Sequence, residues 1–312
     1  MVGIWVLNAL ICLAVGGIYA WTARPQSPQV TPLPSFTQRP AVSRTPGPTI
    51  TPIPPPTQRP TITLWPTPSR GPSVTPNLHS PNVSVIGHSV ENRPLEVHRF
   101  GGGPVSKLIV AGIHGGYESN TVALADELIA YLNEHPKHIP EDTTLLILRS
   151  LNPDGLARSP NAEGRANANN VDLNRNWPFR WAPDWSRDGC FNERILSGGS
   201  APGSEPEVQA LMKFIDLVRP KAIISYHSAA LGIFAGGVNI FEPSVSLAKA
   251  VAAVTNYPYP PIQTGCDYTG NLTDWASEMK NIPAIDIELT NHQDTDFEQN
   301  LRVLQVFLGW KK

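Results

Sequence analysis

The chain has 312 residues, 24 Lys+Arg against 26 Asp+Glu, and a formal net charge of −2. It is too long for one small domain, and its charge carries no basic excess of the kind that binds nucleic acid. Its three cysteines show no Cys-x-x-Cys spacing, which argues against a cysteine-built zinc site.

Composition divides the chain. Residues 4–21 form an apolar run of about the length that spans a bilayer. Ala20 and Ala23 sit where a small-residue cleavage site would fall. No Lys or Arg precedes the run, however, and Arg24 follows it, a layout unlike that of a signal peptide. Residues 1–23 are therefore read as either a signal peptide or a membrane anchor. Residues 24–76 hold 16 of the 33 prolines, five arginines and no acidic residue, and Thr-Gln-Arg-Pro occurs at 37–40 and again at 57–60. Proline at this density forbids helix and sheet and favours extended polyproline II. At ~3.1 Å per residue, about 50 residues reach on the order of 150 Å. Residues 24–77 are read as a disordered Pro/Thr-rich linker. A spacer of this kind suits an exported domain, membrane-anchored or secreted, held away from a membrane.

Residues 78–312 read as one globular domain, long enough for a single buried core. Outside the proline-rich stretch, 19 basic face 26 acidic residues, a net of −7. Residues 83–90 and 93–100 form a strand pair with a polar turn at Glu91-Asn92. Residues 107–113, 143–150, 221–228 and 283–290 are short runs rich in Val, Ile and Leu, each a buried strand. Residues 121–135, 206–220 and 295–310 have helical spacing. Continuous apolar strands separated by helices give an α/β sheet covered on both faces.

Unusual polar residues fall at the strand ends. His114 ends the run 107–113, His227 ends another strand, and Glu288 lies near the end of a third. Ligands gather outside the carboxyl ends of strands in open α/β sheets. A catalytic zinc takes three protein ligands and leaves one position open. His114, Glu118 and His227 supply such a set, with Glu288 free as a general base. The glycines at 115 and 116 point to a loop chelate rather than a helical pair.

At this point the motifs Asn152-Pro-Asp-Gly, residues 164–178, Gly203-Ser-Glu-Pro-Glu, Ser225-Tyr-His-Ser and Ile287-Glu-Leu-Thr resemble the zinc carboxypeptidases, the funnelin-type metallocarboxypeptidases. Residues 86–95 resemble that family's opening hairpin. The resemblance implies an α/β/α sandwich around a mixed, mainly eight-stranded sheet. It implies one Zn²⁺ per chain on His114, Glu118 and His227, with zinc-bound water activated by Glu288. By the same resemblance, Asp172 orients the first histidine, Arg165 steadies the oxyanion, and Asn174 with Arg175 grips the substrate's carboxylate.

Two positions depart from the family pattern. His-Gly-Gly-Tyr-Glu is one residue longer than the usual His-x-x-Glu. Cys266 stands where the family has its substrate-binding tyrosine, with Tyr268 two residues along. Thr273 falls at the base of the specificity pocket, and Asp267 and Asp274 lie near it in sequence. In the family fold the loops carrying Cys190 and Cys266 both border the active-site funnel, so an exported chain is expected to join them as a disulfide. Trp177, Trp181 and Trp275 read as packing residues.

The expected activity is a metallocarboxypeptidase, in monomeric form, acting on a peptide or muropeptide with a free carboxylate. The alternative is a murein-peptide amidase that cuts D-glutamyl–diaminopimelate bonds. A non-catalytic binding module is disfavoured, since neither a ligand nor the base is missing.

Overall fold

A computed structural model describes residues 82–229 and 231–312. The N-terminal apolar run and the linker lie outside the described residues. Among those described, no helix is long and apolar enough to cross a membrane.

Seven strands form one mixed sheet in the order β1-β2-β4-β3-β5-β7-β6. They are β1 (Val83–His88), β2 (Pro94–Gly101), β3 (Val105–Val110), β4 (Thr143–Leu148), β5 (Ile223–Ser228), β6 (Ile233–Ala235) and β7 (Ala284–Leu289). The central pairs β4/β3, β3/β5 and β5/β7 are parallel, and the outer pairs are antiparallel. Every residue of β4 and β5 is buried, as in central strands covered on both faces. Among the described residues the α-helices are α1 (Ser119–Glu134), α2 (Pro153–Arg158), α3 (Pro206–Val218), α4 (Glu242–Ala252), α5 (Leu272–Lys280) and α6 (Phe297–Gly309).

Alternation along the strands sends side chains to two cores. Ile109, Leu145, Ile147, Ile224 and Ile285 pack with Leu124, Leu128 and Leu132 of α1, Leu247 of α4 and Phe307 of α6. Leu108, Val110, Leu146, Leu148 and Ile223 pack on the other face, with Val208 and Leu211 of α3 and Trp275 of α5. Truncating a fully buried leucine such as Leu128 to Ala costs about 2–5 kcal/mol. Lys107, 2% exposed, donates from Nζ to the carbonyls of Phe307, Leu308 and Trp310 and so closes the end of α6.

The α/β/α architecture with a mixed sheet is as expected. Among the described residues the sheet has seven strands, not eight. One further parallel pairing, Val171 with Ser197, stays a single bridge. Asn170 at φ +59° before it and the 3₁₀ turn Leu173–Arg175 after it stop a ladder from extending. The short edge strand β6 and helices α2, α4 and α5 were not assigned from sequence pattern.

Candidate metal centre and substrate cleft

The chain leaves β3 and turns at Gly112, whose φ is +61°. Gly115 also has positive φ, +49°, and a Cβ on Gly116 would lie 1.9 Å from the carbonyl oxygen of Ser159. Only glycine fits this path. It winds Gly115–Glu118 into a 3₁₀ turn, which absorbs the extra residue and folds Glu118 back on His114. The expected loop chelate takes the form of this 3₁₀ turn. His114 Nδ1 lies 2.7 Å from Glu118 Oε1.

His227 arrives from the end of β5. Its Nδ1 lies 3.3 Å from His114 Nδ1 and 3.3 Å from Glu118 Oε2. All three residues are buried, and among the described residues they are the one His/Cys/Asp/Glu group placed to hold a metal ion. A tetrahedral ion with bonds of about 2.0–2.1 Å separates its donors by roughly 3.3–3.4 Å. The two separations from His227 match this spacing, His114 and Glu118 stand closer at 2.7 Å, and two imidazoles with a carboxylate are a donor set that zinc takes.

The outer nitrogens are held by the protein. Asp172 caps the 3₁₀ turn Leu173–Arg175. Its Oδ1 lies 3.2 Å from His114 Nε2, and its Oδ2 accepts from Arg165 Nε at 3.0 Å. Burial would raise the Asp172 carboxyl, but the charges of Arg165 and His114 outweigh it and hold it well below the usual range. Burial would likewise raise Glu118, and His114 and His227 reverse that. Arg165 Nη1 also reaches Glu118 Oε1 at 3.3 Å, while its guanidinium stacks 4.6 Å over Phe191.

Glu288 stands in register with His227 on the neighbouring parallel strand. Burial and the charge of Glu118 push its carboxyl up to about 8, and its Oε2 has no hydrogen-bond partner.

Asn174 is pinned by Leu272 N, which donates to its Oδ1 at 3.0 Å, and its Nδ2 reaches His227 Nε2 at 3.5 Å. Arg175 is 3% exposed and lines the same cleft. One amino group donates to the Asn174 carbonyl at 2.8 Å, and Nε finds no acceptor. Tyr268 lies 5.4 Å from the guanidinium, and the rings of Tyr268 and Phe234 meet edge to face at 5.5 Å. Thr273 closes the base and donates to Asp286 Oδ2 at 2.7 Å. Cys190 and Cys266 are joined as a disulfide, and Arg175 lies 3.9 Å from the Cys266 sulfur. Trp177 and Trp275 are buried and pack on each other, and Trp181 donates to Gly198.

Several cleft residues escaped the sequence reading. Tyr117, the extra residue of the turn, hydrogen-bonds Glu193 and packs on Phe191 and His292. Asp286 lies two residues before Glu288 and so on the same strand face, a period-2 signal that would have found it.

Other motifs serve the framework. Asp154 accepts from Ser89 Oγ, Glu91 N and Arg93 Nη1, tying the opening hairpin to α2. Glu205 and Glu207 accept from Asn167, and Glu207 also from Val90 N.

Comparison with known proteins places the chain in a family. The zinc carboxypeptidase family model matches residues 77–304. Murein peptide amidase A of Vibrio campbellii is 32% identical over 216 residues, covering 66% of this chain and 76% of that protein. Murein peptide amidase A of Escherichia coli K12 is 36% identical over 128 residues, covering 39% of this chain and 48% of the amidase, so the chain spans about half that relative's length. The crystal structure of murein-tripeptide amidase MpaA from E. coli O157 superposes with a TM-score of 0.54 at 25% identity, covering 76% of this chain and 95% of that one. The chain belongs to the zinc carboxypeptidase family.

Proposed function

We propose that this protein is a zinc-dependent peptidase that releases the C-terminal residue of a peptide by hydrolysing its last amide bond. One observation carries the reading. The donors of His114, Glu118 and His227, the Glu288 carboxylate with Oε2 unpartnered, and Arg175 with Nε unpartnered line a single cleft. His114, Glu118 and His227 would hold the ion, and bound zinc would polarise the scissile carbonyl and acidify a water.

The chain's own residues do the rest. Arg175, with Asn174, fixes the substrate by its free carboxylate, since a buried guanidinium favours a fork-to-fork pair. Arg165 donates to the oxygen on which charge develops. Glu288 takes a proton from the attacking water at Oε2 and returns it to the departing amine as the C–N bond breaks. Its raised carboxyl pKa suits a group that both accepts and returns a proton.

A second reading keeps this chemistry and assigns the bond between D-glutamate and diaminopimelate in cell-wall peptide. The similarity to two murein peptide amidases favours it. Export behind residues 1–23 and a spacer at 24–77 would place the catalytic domain beside that substrate.

Digestion of a peptide library and of muropeptides, followed by mass spectrometry, tests the proposal. Loss of one C-terminal residue, stopped by a chelator and restored by zinc, is expected. Internal cleavage alone, or release that a chelator leaves intact, would overturn it.

A further inference from the structure

The two buried arginines of the cleft are held in different ways. Arg165 pairs with Asp172 and Glu118. Among the described residues no carboxylate pairs with Arg175. Its Nη1 donates to the carbonyl of its chain neighbour Asn174 at 2.8 Å, its Nη2 meets the Cys266 sulfur at 3.9 Å, and its Nε has no acceptor. So few hydrogen bonds do not orient a side chain with this much rotamer freedom.

Two ring faces supply the rest. The guanidinium carbon lies 5.2 Å from the centre of the Trp185 ring and 5.4 Å from that of Tyr268. A guanidinium over an aromatic face is attracted by the ring quadrupole, more strongly where water is excluded, and tryptophan offers the strongest such face. The charges of Arg165 and Arg187 act against that of Arg175, and an electron-rich face beside it offsets part of that repulsion. Tyr268 follows the disulfide-bonded Cys266 by two residues. Trp185 comes from a separate segment and is fastened there by its own contacts. Arg187 stacks 3.8 Å over the Trp185 ring. Asp184 Oδ1 accepts from Trp185 N at 2.9 Å and from Arg187 Nη2 at 2.8 Å, and Arg187 Nη2 also donates to the Leu196 carbonyl. The indole Nε1 is buried without an acceptor, so the ring makes its contacts through its face. Trp185 is not among the residues that line the cleft, and it reaches the site through Arg175.

We propose that Trp185 is a positioning residue: its indole face sets the Arg175 guanidinium in the orientation that receives the substrate's free carboxylate. This rests on the reading that Arg175 takes the free carboxylate of the released residue.

The test compares the wild type with Trp185→Leu, Trp185→Phe and Arg187→Met. Each is assayed on one peptide ending in leucine, with its C-terminus free or amidated. Binding of free leucine and of leucinamide is read by calorimetry, alongside zinc content and melting temperature. In Trp185→Leu the preference for the free carboxylate over the amide should fall by about tenfold, the scale of a desolvated cation–π contact. The loss should appear in KM more than in kcat, with zinc retained. Trp185→Phe, which keeps an aromatic face, should restore most of the preference. Arg187→Met loosens the indole without removing it and should lower the preference in part; it decides the matter if Trp185→Leu does not fold. An unchanged preference in Trp185→Leu or Arg187→Met would overturn the proposal. So would an equal loss on the free and amidated ligands, or a Phe variant no better than Leu, since either would make Trp185 a packing residue of its loop. If the wild type shows no preference for the free carboxylate, the reading of Arg175 fails and this assignment with it. If no peptide is cleaved while leucine still binds better than leucinamide in a Trp185-dependent way, the hydrolytic reading fails and the assignment of Trp185 stands.

Discussion

His114 Nδ1 and His227 Nδ1 lie 3.3 Å apart, and each faces an oxygen of Glu118 as well. Two ring nitrogens aimed at one point oppose their lone pairs unless a cation or a proton stands between them. The other nitrogen of each ring is occupied, by Asp172 for His114 and by Ser225 for His227. Those partners fix which nitrogen faces the metal position.

Metal binding should release protons. Without a metal, His227 is held well above its ordinary value: burial opposes the charge, but Asp286 and Glu118 outweigh it. Glu288 is raised to about 8. Both groups therefore carry protons at pH 7 in the metal-free site. A dication needs His227 neutral and favours Glu288 charged, so zinc affinity should rise with pH, by about tenfold per pH unit for each proton displaced. Calorimetry in buffers of different ionisation enthalpy counts those protons. Glu288→Gln should release one fewer, keep its zinc, and lose turnover by about 10²–10⁴-fold. Unchanged turnover would remove Glu288 from the chemistry.

Arg175→Ala should separate carboxylate reading from structure. Peptides with a free C-terminus should lose about 2–4 kcal/mol of transition-state binding, the scale for breaking a buried charge pair. Amidated peptides, already poor substrates, should change little. An equal loss on both kinds in kcat/KM would make Arg175 a framework residue.

The disulfide ties together the two loops that carry Phe191 and Tyr268 to the cleft. Cys190 and Cys266 are 76 residues apart in sequence. In the chain-entropy model, closing such a loop stabilises by about 4 kcal/mol. The double Cys→Ser variant should therefore melt at lower temperature, and KM should rise more than kcat falls. Thermal unfolding and steady-state kinetics on one preparation check both. An unchanged melting temperature would mean that the loops hold their places without the bridge.

The long apolar runs were legible because burial on both faces leaves few residue types for β3, β4, β5 and β7. His114, His227 and Glu288 were legible because a charged or titratable group at the end of such a run has little structural use. Asp286 was not singled out: an acid inside a strand reads as a local polar position until Thr273 and Ser225 are placed around it by elements distant in sequence. The three residues of β6 are too few to show a period. The tight turn at 115–118 was half legible. Its glycines signalled a bend, but the Ser159 carbonyl that leaves no room for a Cβ at Gly116 comes from a segment more than 40 residues away.

The most direct test of the account is the zinc content of purified wild-type protein and of His227→Ala, measured by inductively coupled plasma mass spectrometry after equal exposure to zinc and dialysis. The account predicts about one ion per chain in the wild type, as a three-ligand catalytic site requires. In the variant, zinc and release of the C-terminal residue should both be lost. Full zinc occupancy in His227→Ala, or a wild type that releases the C-terminal residue while holding no metal, would contradict it.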